Sequence, residues 1–186
     1  MHKFLPENWQ RLESEERKKL LPADDILRRF GLAEGMTFLD IGAGTGYFSR
    51  AAATIVGSNG KVLAADMAPQ MIELLKGSAL PSHAEVIQSE EYSLPVGDSV
   101  ADLSWIAFVT HENPDVPRFI KEAMRATRSG GKMVIVEWKK QAEEHGPPVE
   151  ERLDQKQLRR TLSDFKLVDE GSLNASHYYM EIEATK

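Results

Sequence analysis

Cysteine is absent from the 186 residues. Disulfides, zinc–cysteine sites, iron–sulfur clusters and thiol nucleophiles are therefore excluded. Long apolar runs are missing too: no stretch reaches the ~18 residues of a membrane span. The opening Met1-His2-Lys3-Phe4 lacks the apolar core of a signal peptide. These features predict a cytoplasmic protein without membrane insertion. Basic charge is scarce, with 23 Lys+Arg against 29 Asp+Glu and a net charge of −6. Phosphate neutralisation needs clustered basic charge, so nucleic acid is not an expected partner. Repeats and low-complexity runs are absent. What remains is an ordinary globular balance, 41% hydrophobic and 28% charged. The length suits a single domain of roughly 150 residues with a short appendage.

Residues 6–21 are polar. Glu13 and Arg17, and Glu15 and Lys19, stand at helical i,i+4 spacing with the acid first. Trp9, Leu12 and Leu20 make a thin apolar face. This predicts a helical arm over residues 1–21, a candidate lid, ahead of a domain over 22–186. A second helix starts near Pro22 and stops at Gly31. Short apolar runs then alternate with helical patterns. Strands are expected at 36–41, 61–66, 84–88, 102–109 and 133–138, and helices at 47–56, from Pro69, and at 114–127. Ser129-Gly130-Gly131 reads as a turn and 139–152 as a loop. Asp154 with Gln157 resembles a capping box for another helix. Two last strands, 166–173 and 178–184, lie too close for a parallel crossover. The expected fold is α/β: a Rossmann-like, seven-stranded, mostly parallel sheet with an antiparallel C-terminal hairpin and helices on both faces.

Asp40-Ile41-Gly42-Ala43-Gly44-Thr45-Gly46 lies between a strand and a helix. A glycine run there brings backbone close to a ligand at a helix N-terminus. The spacing is G-x-G-x-G, and Tyr47 stands where a dinucleotide fingerprint wants its third glycine. That disfavours a nicotinamide-dependent reductase. Asp40 precedes the first glycine, where a carboxylate suits a cationic ligand better than a pyrophosphate. Asp66 ends the second strand, where an acid accepts both hydroxyls of a ribose.

Residues 39–46 resemble the first motif of class I S-adenosylmethionine-dependent methyltransferases, and Lys61–Asp66 resembles the second. Ser89–Asp102 is similar to the third-motif region, and 125–133 to the turn before the fifth strand. The nearest type is the ubiquinone/menaquinone-biosynthesis methyltransferase. The likeness spans roughly residues 20–140. It implies S-adenosylmethionine as cofactor and S-adenosylhomocysteine as product. By the same resemblance, Gly42, Ala43, Gly44 and Gly46 approach the methionine part and ribose, and Asp40 faces the amino group. Asp66 takes the ribose hydroxyls, Met67 lies on the adenine, and Glu90 with Glu91 meets the adenine amino group. The family usually has Asp at the place of Glu90.

The acceptor pocket is expected beyond the strand tips. Phe108 and Glu112 after strand four, and Glu137 and Trp138 at the end of strand five, are its candidate lining. His111 is the candidate base, since an imidazole titrates in the useful range. His145 and His177 have no motif around them. The Asn-Pro-Pro-aromatic signature of amine methylation is missing, because Asn113-Pro114 continues as Asp115-Val116. The cysteines of arsenite and cytosine-C5 enzymes are absent, and no inserted cap domain separates strands five and six. No metal is expected. The reading is methyl transfer to a small molecule, with oxygen, carbon and nitrogen acceptors all open. The alternative is a cofactor-binding sensor or partner subunit without turnover.

Overall fold

The computed structural model describes residues 6–185; residues 1–5, part of the expected arm, lie outside them. After the arm come a helix (Ala23–Arg29) and β1 (Thr37–Ile41). Calling the arm's helix α1 (Glu15–Leu20) and this one α2, the chain continues through α3 (Tyr47–Val56), β2 (Lys61–Asp66), α4 (Pro69–Gly77) and β3 (Ala84–Gln88). Then follow β4 (Ala101–Ala107), α5 (Val116–Ala126), β5 (Thr127–Trp138), α6 (Gln155–Thr161), β6 (Lys166–Ser172) and β7 (His177–Glu183). The strands form one seven-stranded sheet in the order β3-β2-β1-β4-β5-β7-β6. β7 runs antiparallel to both β5 and β6, and the other pairs are parallel.

Side chains alternate across a strand, so each strand serves two cores. Phe38, Val62, Trp105 and Val134 pack toward α2 and α3. Leu39, Leu63, Ile106 and Ile135 pack on the opposite face, toward α5 and α6. Coverage of both faces explains why the central strands read as continuous apolar runs rather than alternating ones. The chain moves outward from β1 to β3, then returns to lay β4 on the other side of β1. That reversal opens a crevice at the strand C-termini.

The arm departs from expectation. It is a 3-10 helix (Pro6–Glu13) followed by the short α1. Ser14 breaks it, because its hydroxyl accepts the Arg17 N–H at 3.2 Å and caps the second segment. Neither i,i+4 pair forms. Glu15 bonds Lys18 at 2.7 Å, while Glu13 turns to Arg50. Leu20 is exposed. The Ser129–Gly131 turn is also absent as such. Those residues continue β5 across an irregularity, where Gly130 donates to the Ala184 carbonyl and Ala184 to that of Gly131. The 139–152 loop is irregular but tied from within. The guanidinium of Arg152 is buried and donates to the carbonyls of Pro147, Lys139, Gln141 and His145.

Candidate active site

The glycine loop is held in place by three separate anchors. Gly42, Gly44 and Gly46 all take positive φ, at 76°, 57° and 84°, a region open to glycine at little cost. The N–H groups of Gly42 and Ala43 both donate to the Ala65 carbonyl, at 2.8 and 2.9 Å. Asp66 provides the second anchor. One carboxylate oxygen accepts from Gly44 N–H at 2.8 Å and the other from Ala68 N–H at 2.9 Å. The third is Val109, leaving β4. A Cβ on Gly42 would fall inside contact distance of its Cγ2 atom. Gly42→Ala is therefore expected to cost about 2 kcal/mol in urea unfolding, from overpacking and a strained φ together. An unchanged midpoint would mean that Val109 moves aside freely.

Two carboxylates sit under this loop. Asp40 is buried, and Oδ2 accepts the Ser49 hydroxyl at 2.6 Å. Burial pushes its pKa up to about 7, eased by Ser49 and reinforced by the nearby Asp66 charge. Arg17 is near enough to lower it somewhat, and a buried acid is a fitting receptor for a cation. Burial also raises Asp66, against the lowering effect of its backbone donors. Met67, at 45% exposed, follows it as an open apolar surface. The Asp66 carbonyl accepts from Ser89 N–H at 2.9 Å, bringing the exit of β3 alongside. There Glu90 is exposed, with its N–H on the Ser93 carbonyl, and Glu91 is half-buried. Asp66, Met67, Glu90 and Glu91 thus share one rim of the crevice.

The other rim is built by β4 and β5. Phe108 takes φ 63°, uncommon for a bulky residue, and its N–H donates to the Val136 carbonyl at 2.9 Å. Its ring contacts those of Trp138 and His177 at 5.6 and 4.9 Å, and Trp138 meets His177 at 4.3 Å. A 3-10 turn (Thr110–Glu112) then presents His111. Glu137, expected on the pocket wall, is instead buried beneath that histidine. Its carboxylate accepts from the imidazole Nδ1 at 2.9 Å, the His111 backbone N–H at 3.1 Å and the Trp138 N–H at 3.3 Å. Nδ1 therefore carries the proton in the neutral ring, leaving Nε2 as the acceptor. Burial opposes charge on His111, but the Glu137 contact, with Glu112 and Glu151 beyond it, outweighs this and raises the pKa.

Glu112 is half-buried beside His111. His177, which had no motif, is wholly buried with both ring nitrogens unpaired. Burial takes its pKa down to about 4; Glu143 opposes the shift, and Arg17, Arg152 and Lys139 add to it. The pairings of His111 with Glu137 and Asp40 with Ser49 join residues with no local sequence signature. The same holds for Arg17 and His177.

The arm lies on the glycine loop. A Leu12 methyl approaches Gly44, and the Glu13 carboxylate accepts from Thr45 Oγ1 at 2.6 Å and Arg50 Nη2 at 2.6 Å. A groove of about 620 Å³ between the arm and α3 is lined by Glu13, Lys18, Asp24, Tyr47, Arg50 and Thr54. Among the described residues no cluster of three metal-ligating side chains occurs, and no helix is long and apolar enough to cross a membrane.

A sheet reversed at β1, a glycine turn before α3 and an acid ending β2 define the class I methyltransferase architecture. The methyltransferase domain family matches residues 39–135, and the chain belongs to that family, whose cofactor is S-adenosylmethionine. The ubiquinone/menaquinone biosynthesis C-methyltransferase UbiE of Hahella chejuensis is 30% identical over 114 residues, 59% of this chain and 46% of that protein. This chain thus spans about half the length of the curated relatives it matches. A SAM-dependent methyltransferase from Aquifex aeolicus superposes with a TM-score of 0.92 at 28% identity, covering 98% of this chain and 100% of that one. The [4+2]-cyclase SpnF has a TM-score of 0.74 at 16% identity, over 88% and 80% of the two chains.

Proposed function

We propose that this protein transfers a methyl group from S-adenosylmethionine to a small-molecule acceptor. The observation that carries the reading is the glycine loop pinned between Asp66 and Val109, with buried Asp40 beneath it. When bound, S-adenosylmethionine supplies an electrophilic methyl on a cationic sulfur. Asp66 already orients its carboxylate through two backbone N–H groups, which leaves oxygen lone pairs to accept ribose hydroxyls. Asp40 offers the charge for an ammonium group. Met67 provides an apolar seat for a planar base, and Glu90 or Glu91 an acceptor for its amino group.

His111 would take the acceptor's proton through Nε2, with Glu137 holding the ring and favouring the imidazolium that results. Phe108 and Trp138 wall the acceptor side. Residues 6–21 act as a lid, since Leu12 and Glu13 already close on the loop. They exclude water and hold the reactants in line.

Calorimetry is expected to find S-adenosylmethionine and S-adenosylhomocysteine binding with little affinity for NAD. Incubation with phenols, quinols and amines should then release S-adenosylhomocysteine with at least one class. NAD binding without S-adenosylmethionine binding would overturn the assignment. Tight cofactor binding with no release across the panel favours a sensor or partner subunit.

A further inference from the structure

Arg17 has a conspicuous shortage of counter-charge. It projects from α1 over the strand tips, with its guanidinium carbon 4.8 Å from the Tyr47 ring centre and 5.8 Å from that of Phe108. Its side-chain hydrogen bond is to the Leu12 carbonyl, from Nη1 at 2.7 Å. Glu13, the acid four positions before it, is committed to Thr45 and Arg50. Asp40 is near enough to be felt but is bonded to Ser49. The guanidinium makes no ion pair among the described residues. Burial disfavours its charge and lowers its pKa.

A guanidinium has five donors in a rigid fork, and such a fork matches a carboxylate bidentately. Among the described residues Nε and Nη2 meet no acceptor; the side chain's hydrogen bond is the one from Nη1 to Leu12. A second observation points the same way. On the Phe108 ring that Arg17 overlies also rests His177, buried with neither nitrogen hydrogen-bonded. Arg152 and Lys139 add positive potential at this corner, and both already donate to backbone carbonyls. A neutral imidazole there has one N–H to offer and no protein acceptor for it.

We infer that Arg17 is the anion receptor of the acceptor subsite, so that the methyl acceptor is an aromatic carboxylate. Its acid would meet the guanidinium while its ring lies against Phe108 and Trp138. The inference rests on the methyl-transfer reading of this crevice. It also gives the lid a trigger: an anionic acceptor completes the contacts of the arm, and a neutral one does not.

The test uses paired probes with the full chain saturated with S-adenosylhomocysteine. Benzoate, cinnamate and 2-naphthoate are each compared with their neutral carboxamides by calorimetry. Wild type should bind the carboxylates at least 10-fold more tightly, Arg17→Met should abolish that preference, and Arg17→Lys should keep part of it. A parallel arm compares S-adenosylhomocysteine with 5′-methylthioadenosine, which lacks the amino-acid carboxylate. The ratio of these two affinities should be the same in wild type and Arg17→Met. If Arg17→Met weakens S-adenosylhomocysteine selectively, Arg17 reads the cofactor's own carboxylate and the inference falls. It falls equally if wild type prefers no carboxylate, or if the preference survives Arg17→Met. Failure of wild type to bind S-adenosylhomocysteine at all would instead refute the underlying methyl-transfer reading. Circular dichroism and melting curves confirm that each variant is folded.

Discussion

Replacing His111 with alanine is expected to cut turnover about 100-fold or more while leaving S-adenosylhomocysteine affinity within about two-fold. Nδ1 is bound to Glu137 at 2.9 Å, which leaves Nε2 as the acceptor of the neutral ring. That is the geometry of an oriented base. The imidazole must be neutral to accept a proton. Its pKa is raised, so turnover should climb with pH through a value above the ordinary 6.5. Glu137→Gln removes the carboxylate charge while keeping the shape. The rising limb of the pH–rate profile should then move to lower pH, a shift that loss of packing alone does not produce. Stability follows with its own sign. A raised folded-state pKa means His111 stabilises the fold fully below pH ~6.5, and that contribution fades as pH rises through the folded value. Alanine removes it and leaves the Glu137 carboxylate with fewer donors, at a cost of about 1–3 kcal/mol. A stable, fully active His111→Ala enzyme with an unchanged profile would eliminate the base.

Asp66→Ala should weaken S-adenosylmethionine binding by about 1.5–3 kcal/mol, roughly 10- to 150-fold, through loss of charged hydrogen bonds to two hydroxyls. From the sequence, with only a ligand contact in view, the unliganded protein would be expected to change little. The structure alters that expectation. Asp66 also accepts the N–H groups of Gly44 and Ala68, so alanine should lower apo stability by about 1–2 kcal/mol as well. Asp66→Asn separates the two effects. Its amide oxygen can still accept one backbone N–H, so much of the stability should return while the binding loss persists. Equal affinity in wild type and both variants would move the ribose contact to another residue.

Glycines, strand-end acids and apolar periodicity made the central architecture legible. A short run such as Val62–Ala65 is buried on both sides whatever covers it, and Gly-x-Gly-x-Gly between strand and helix has few local conformations. The ranges of β2 and β3 follow directly from that pattern. The arm was less legible, because residues 6–21 carry too little apolar surface to set their own geometry. Ser14 offered a cap inside the expected helix, and Arg50 outbid Arg17 for Glu13 from another element. Ser129-Gly130-Gly131 has turn composition, yet the Ala184 strand edge satisfies its backbone and keeps it in β5.

By itself the sequence determined the sheet, the glycine loop and the acids that flank it, since each depends on residues near one another in the chain. Only the tertiary structure decided that Glu137 lies behind His111, that Ser49 serves Asp40, and that Arg17 stands over Phe108. Arg17 and Phe108, and His111 and Glu137, are far apart in sequence, and even Ser49 reaches Asp40 from the following element. β4 and β5 place His111 on Glu137 because they are paired in parallel, with Ala107 opposite Val136. Arg17 meets Phe108 because the arm folds across the glycine loop. No periodicity encodes such a meeting, because its energy comes from burial and pairing that exist only once the sheet has closed.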